Sequence, residues 1–246
     1  NGLTLLEDAC QSLGATFQGK ALGRFGKAGC YSFDAVKTVT CGEGGGIITD
    51  SETVYQKCDQ YADHGHDHLG GPDRGADDHP ILGMNYRISE LNAAVGLAQL
   101  KKLDRILETQ RKNKHAIKNA MADIPEVTFR YLPDTMGDSA SFLSFFLPTE
   151  NRTREVAAKL AENGVGCPYW YDNNWHYYRK WHHLKSMSRA ATLAAELCGN
   201  LPDYSRMELK ESDKIMSRTL SMQIMLSWTR EDIDHRIQAV MKSFKE

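Results

Sequence analysis

The sequence predicts an α/β fold in two parts, a sheet-bearing region followed by a smaller α/β domain, and three observations predict it. Short apolar runs alternate with glycine through about the first hundred residues, as in Gly44-Gly45-Gly46-Ile47-Ile48-Thr49, the pattern of buried strands separated by tight turns. From Ser89 the period changes: Leu91, Ala94, Val95, Ala98, Leu100, Leu103, Ile106 and Leu107 recur at threes and fours, the spacing of one helix face. After Pro125 a second strand-and-helix cycle begins.

Each element can be taken in order. Leu3-Thr4-Leu5-Leu6 reads as a buried strand, Gly29 to Phe33 as a second and Gly44 to Thr49 as a third. Ser51 is the N-cap of a helix. Gly65 to Pro80, rich in glycine and aspartate and almost without apolar residues, is an exposed loop. Ser89-Glu90 opens one long helix to about Ala122, which Pro125 stops and which connects the two parts. Ser141 to Leu147 is a strand, Arg152 to Glu162 a helix closed by Gly164, and Arg230 to Phe244 a last helix. The expected division is 1–112 and 113–246. Because residue 1 is Asn and a strand comes at once, the chain reads as beginning in mid-domain.

Charge narrows the function. With 30 basic and 32 acidic residues, no imbalance of the kind that draws a protein to nucleic acid or to an anionic membrane is present. No apolar run approaches the roughly 20 residues of a membrane-crossing helix. The six cysteines include no CxxC pair, so they signal neither a zinc knuckle nor a disulfide framework and fit reduced thiols in a cytoplasm. Small molecules and a second copy of the chain are the expected partners.

Chemistry concentrates in three segments. In Ser32-Phe33-Asp34-Ala35-Val36-Lys37, followed by the glycine-dense Gly42 to Gly46 turn, a lysine sits where backbone can approach a bulky group; it is either a Schiff-base lysine or an ordinary loop residue. Asp8 ends the first strand, at the edge where open parallel sheets hold ligands. It would pair with a protonated ring nitrogen or cap the next helix. In Gly83-Met84-Asn85-Tyr86-Arg87-Ile88-Ser89, polar side chains precede a helix start, a place suited to phosphate or carboxylate, or a plain surface turn. His64, His66 and His68 alternate like metal ligands, but on a loop without visible scaffold, and no metal is expected. The aromatic run Tyr169 to Trp181 is either a sugar-stacking lid or packing within the smaller domain.

In this order, the three segments resemble the sugar aminotransferase family named after DegT, DnrJ, EryC and StrS, of the aspartate-aminotransferase fold type, across essentially the whole chain. The resemblance implies pyridoxal 5'-phosphate as cofactor. Lys37 would form the Schiff base and carry the transferred proton, and Asp8 would hold the pyridine nitrogen. Gln11 would contact the ring oxygen, Ser32 would bind the phosphate, and Asn85 would reach the phosphate of a neighbouring subunit in a homodimer. Arg87 would anchor an anionic substrate. The reaction would move an amino group from an amino acid such as glutamate to a keto or aldehydo sugar. The aromatic run is similar to that of enzymes aminating C8 of an eight-carbon ulosonic acid of lipopolysaccharide. The family's dehydratase branch, which carries a histidine at the lysine position, and a non-catalytic relative or inactive fragment are the alternatives. On this reading 1–112 is the carboxyl-terminal part of the cofactor-binding large domain and 113–246 the small domain. A segment of about 150 residues, one domain's worth, would precede the Asp8 strand, so the apolar surface of the sheet is expected to lie open.

Overall fold

The computed structural model describes residues 2–173, 177–186 and 204–245. They form two units, 1–112 with 132–141 and 113–131 with 142–246.

The first unit is built on a three-stranded sheet. Strand β1 (Leu6–Asp8) is followed by a hairpin of β2 (Thr16–Phe17) and β3 (Lys20–Ala21), then by β4 (Ala28–Ser32) and β5 (Gly45–Ile48). The hairpin turns on Gln18 and Gly19, both at positive φ, which matches the right-handed strand twist. The sheet order is β1-β4-β5. β1 runs parallel to β4 with Asp8 opposite Cys30, and β5 returns antiparallel with Gly45 opposite Ser32. The first strand differs from its expected burial: Leu3, Leu5 and Leu6 are exposed, Leu6 to 66%, as are Ile47 and Ile48 on β5. No described residue covers these side chains, so the apolar surface of the sheet lies open, as the resemblance implied.

Helix α1 (Glu52–Ala62) begins after Ser51 as expected, and the 65–80 loop carries a 3-10 turn at Arg74–Ala76. The long connecting helix is two helices, α2 (Glu90–Leu100) and α3 (Leu103–Ala120). Between them the Lys101 and Lys102 amides both bond Gln99, within a 3-10 or tighter turn; a continuous apolar period cannot reveal such a tightening. Ser89 caps α2 through the Asn92 amide. The 132–141 segment belongs with the first unit: the Thr16 amide donates to the Gly137 carbonyl and that of Gln18 to Asp134.

The second unit packs helices on the antiparallel sheet β6-β7-β8, of β6 (Thr128–Phe129), β7 (Phe142–Phe146) and β8 (Thr219–Gln223). Among the described residues its helices are α4 (Glu150–Glu162), α5 (His182–Lys185), α6 (Lys210–Met216) and α7 (Arg230–Ser243). Alternation along β7 buries Leu143 and Phe145 against Met222 and Leu220, while Ser144 and Ser221 share a hydrogen bond on the other face. Val156 and Leu160 of α4, Ile117 and Met121 of the α3 end and Val240 of α7 complete this core. Gly164 ends α4 at φ +75°, with the Val165 amide reaching back to Leu160, a left-handed cap that a side chain would strain.

Candidate functional site

Successive residues of a strand face opposite ways, and Glu7 and Asp8 divide the work of β1 accordingly. The Glu7 carboxylate accepts the amides of Gly23, Phe25 and Gly26. Burial pushes its carboxyl up, but those backbone hydrogen bonds outweigh it and hold it below the usual range. Glu7 therefore pins the turn that leads into β4.

Asp8 faces the other way, exposed, at the carboxyl end of β1. Its Oδ1 accepts the Cys10 amide at 3.1 Å. The Cys10 thiol, that amide and then the positive charge of Lys37 lower its carboxyl below the ordinary value, against a smaller opposing effect of burial. Asp8 is thus ionised at neutral pH. Burial, together with the hydrogen bond and charge of Asp8, pushes the Cys10 thiol up to about 11, so that it stays a protonated donor.

Lys37 sits on a loop closed at its base, where the Phe33 amide donates to Gly44 and the Cys41 amide to Phe33. Val39, fully buried, fastens the loop. Asp34 shapes its turn, with its carbonyl accepting the Lys37 amide and its carboxylate the Val36 amide. Ser32 is the last residue of β4, and its Oγ accepts weakly from the Asp34 amide at 3.4 Å. Asp8 and Ser32 stand at the carboxyl ends of the two parallel strands, where such sheets bind ligands, and Lys37 lies on the loop that follows Ser32, near enough for its charge to act on Asp8. Gln11 lies exposed just beyond β1.

Asn85 and Arg87 gather elsewhere. Asn85 forms a β-bridge with Asp63 and accepts from Arg87 Nε at 3.2 Å. Asp63 Oδ1 lies 2.6 Å from Arg74 and 3.3 Å from Arg87. Burial alone would push the Asp63 carboxyl up; the hydrogen bonds from Arg74 and His64 and the charges of Arg74 and Arg87 prevail and hold it at about 2. Among the described residues, no hydrogen bond or ion pair joins Asn85 or Arg87 to Asp8, Gln11, Ser32 or Lys37. Sequence reasoning missed Asp63, Asp34 and Cys10; the position of Asp63 at the end of α1, directly before the histidine run, was the available signal.

The aromatic run is divided. The Tyr177 and Tyr178 hydroxyls both donate to Asp213 from buried positions, and the Tyr169 hydroxyl donates to the Ser217 carbonyl. These three serve the interior of the second unit. Tyr171 carries the Arg179 guanidinium 4.2 Å above its ring. Asn174, Trp175 and His176 lie outside the described residues.

The model of the DegT/DnrJ/EryC1/StrS aminotransferase family matches residues 1–241. The chain belongs to this family. Among curated relatives, GDP-perosamine synthase of Vibrio cholerae is 33% identical over 125 residues, 51% of this chain and 33% of that protein. Among solved structures, Helicobacter pylori PseC, an aminotransferase involved in the biosynthesis of pseudoaminic acid, superposes with a TM-score of 0.77 at 22% identity over 98% of this chain and 60% of that one. The E. coli GDP-4-keto-6-deoxy-D-mannose-3-dehydratase with bound hydrated pyridoxal phosphate does so with a TM-score of 0.75 at 23% identity, over 97% and 60%. The two structures establish the fold, that of the PLP-dependent type I aminotransferases. The chain spans 33% of the length of this curated relative and 60% of that of these solved structures.

Proposed function

We propose that the protein to which this chain belongs is a pyridoxal-phosphate-dependent sugar aminotransferase, with Lys37 as its cofactor lysine. The observation that carries this reading is an ionised Asp8 at the carboxyl end of β1, its carboxyl lowered in part by the charge of Lys37 on the loop that follows the parallel strand β4. The donor set fits the cofactor: a carboxylate that stays charged, a lysine whose charge acts on it, and the Ser32 hydroxyl at the neighbouring strand end. When bound, pyridoxal phosphate supplies an electron sink for the carbon that loses its proton.

The residues of the chain supply the rest. Asp8 would keep the pyridine nitrogen protonated, each charge favouring the other. Lys37 would hold the cofactor through Nζ and then, released, take the proton from the α carbon of the amino donor. Ser32 would accept the phosphate, Gln11 would meet the ring oxygen, and Arg87 would anchor an anionic substrate group. The amino donor is an amino acid, glutamate on this proposal, and the acceptor a keto or aldehydo sugar. Relatives whose names carry GDP- and UDP-linked sugars support that substrate class, and a screen of sugar nucleotides and eight-carbon ulosonic acids against the glutamate-treated protein would choose among its members. Lys37, at the position where the dehydratase branch carries histidine, favours transamination. Residues 1–112 are proposed as part of the cofactor-binding domain and 113–246 as the small domain. Five free thiols among the described cysteines fit a reducing cytoplasm.

A homodimer is part of the proposal. Helix α2 exposes Leu91 to 81%, together with Val95 and Leu97, and the preceding segment exposes Tyr86 and Ile88. A helix apolar on most sides belongs in an interface. The separation of Asn85 and Arg87 from Lys37 supports their serving the partner's site.

The test is covalent. Borohydride reduction in the presence of pyridoxal phosphate, followed by peptide mapping, is expected to place the adduct on Lys37. An adduct confined to Lys20 or Lys57 would overturn the assignment.

A further inference from the structure

We propose that Asp63, His64 and His66 form a binding site for a divalent transition-metal ion of the zinc class, with His68 completing the ligand set. The site does not rest on the aminotransferase reading, although its Asp63 meets Arg87 and bridges Asn85. One ligand atom from each of the first three residues lies within 4.8 Å of the others. His68 Nε2 stands 3.8 Å from Asp63 Oδ2 and 3.5 Å from Asp59 Oδ2. Four-coordinate zinc with bonds of about 2.0–2.1 Å sets its ligands about 3.4 Å apart, so rotamer adjustments on the order of an ångström close the site.

The two Asp63 oxygens are already differentiated. Oδ1 takes the Arg74 guanidinium and faces Arg87, with His64 Nδ1 also 3.1 Å away, while Oδ2 turns toward His68. A ligating carboxylate held by a hydrogen bond to its second oxygen is the usual outer-shell arrangement. His66 supplies an unfinished contact. Its Nδ1 is shielded from solvent without a hydrogen bond; Asp77 Oδ2 lies 3.2 Å away but out of line for one. A metal ion on this ring would satisfy Nδ1 directly, or bind the other nitrogen and fix the ring so that Nδ1–H reaches Asp77. The His79 ring, 4.2 Å from that of His66, adds a further imidazole. Asp63 meets the Arg74 and Arg87 guanidiniums, while Asp59 and Asp77 add two carboxylates beside His68 and His66, so the cluster holds three carboxylates against two guanidiniums. Imidazole with carboxylate suits zinc, nickel, copper and cobalt rather than calcium or magnesium.

The loop also has the scaffold that its composition hides. The amides of His64 and Gly65 donate to the Met84 and Gln60 carbonyls, and that of Asp67 to Asp78. Gly65 and Gly83 pack backbone to backbone, so closely that a Cβ on Gly83 would come within 2.2 Å of the Gly65 nitrogen.

The experiment is a titration of the chelator-stripped protein with Co²⁺, followed by displacement with Zn²⁺ and by calorimetry. Expected are one equivalent bound, the intense visible bands of a tetrahedral nitrogen–oxygen site, and no near-ultraviolet thiolate-to-cobalt band. The His64→Ala/His66→Ala double variant is expected to bind at least ~10-fold more weakly, the order of loss seen when a metal ligand's support is removed, with His182→Ala/His183→Ala unchanged. A thiolate band, no saturable uptake at micromolar metal, or undiminished affinity in the folded double variant would overturn the site. The spectrum of the unmodified protein decides even where the variant fails to fold.

Discussion

Asp8 and Lys37 are 29 positions apart in the chain, and the parallel pairing of β1 with β4 removes that separation. The two Cys10 donors and Lys37 hold the Asp8 carboxyl below its ordinary value. A depressed folded value means that ionised Asp8 stabilises the native state above the unfolded value near 3.8, and that this contribution is lost only as pH falls through the lower folded value. Asp8 thus stays charged across the pH range in which an aminotransferase works. Asp8→Asn is expected to slow α-proton removal by orders of magnitude in stopped-flow absorbance while shifting the melting temperature little, because the side chain is exposed. Among the described residues no helix directly follows β1 for Asp8 to cap, so a near-normal rate in this variant would leave Asp8 only the turn it closes on the Cys10 amide.

At the scale of elements, local signals were readable where a cap or stop is encoded within one turn. Ser51, Ser89 and Gly164 stand at the helix ends predicted for them, Ser89 through its side chain, Ser51 without a side-chain cap, and Gly164 through its positive φ. The last helix shows the strongest case: the Thr229 hydroxyl accepts the Asp232 amide and Asp232 accepts the Thr229 amide. Thr229→Ala is expected to cost about 1 kcal/mol, read as an equal loss in urea denaturation of the second unit, with Asp232→Ala similar. What local signals did not carry was the break between α2 and α3, because Lys101 and Lys102 are good helix formers and the apolar period runs on past them.

At the scale of the molecule, the apolar α2 face and the Asn85–Arg87 cluster together bear on assembly. Mixing Lys37→Ala subunits with Asn85→Ala subunits under exchange conditions should restore about a quarter of the sites, since each mixed dimer recovers one intact site from its two subunits. Activity is measured on the whole protein, and no recovery in demonstrated mixed dimers would exclude a shared site. The placing of Asp8 at a strand end and of Lys37 beside a glycine-dense turn was legible in the sequence, because both are local patterns. Asp63 was not, because nothing in its neighbours along the chain announces Arg74, Arg87 and the Asn85 bridge.

The sequence by itself determined the α/β character, the position of most helices and strands, and the family. Each rests on periodicity, on caps, or on motifs read within a dozen residues, which are properties of short segments. Tertiary structure decided which charges meet. It brought the charge of Lys37 to bear on Asp8, gathered Arg74, Arg87 and His64 on one oxygen of Asp63 with His68 near the other, and turned a glycine-rich loop into a held cluster of histidines. Electrostatic pairing depends on distance in space rather than along the chain, and only the folded backbone specifies that distance.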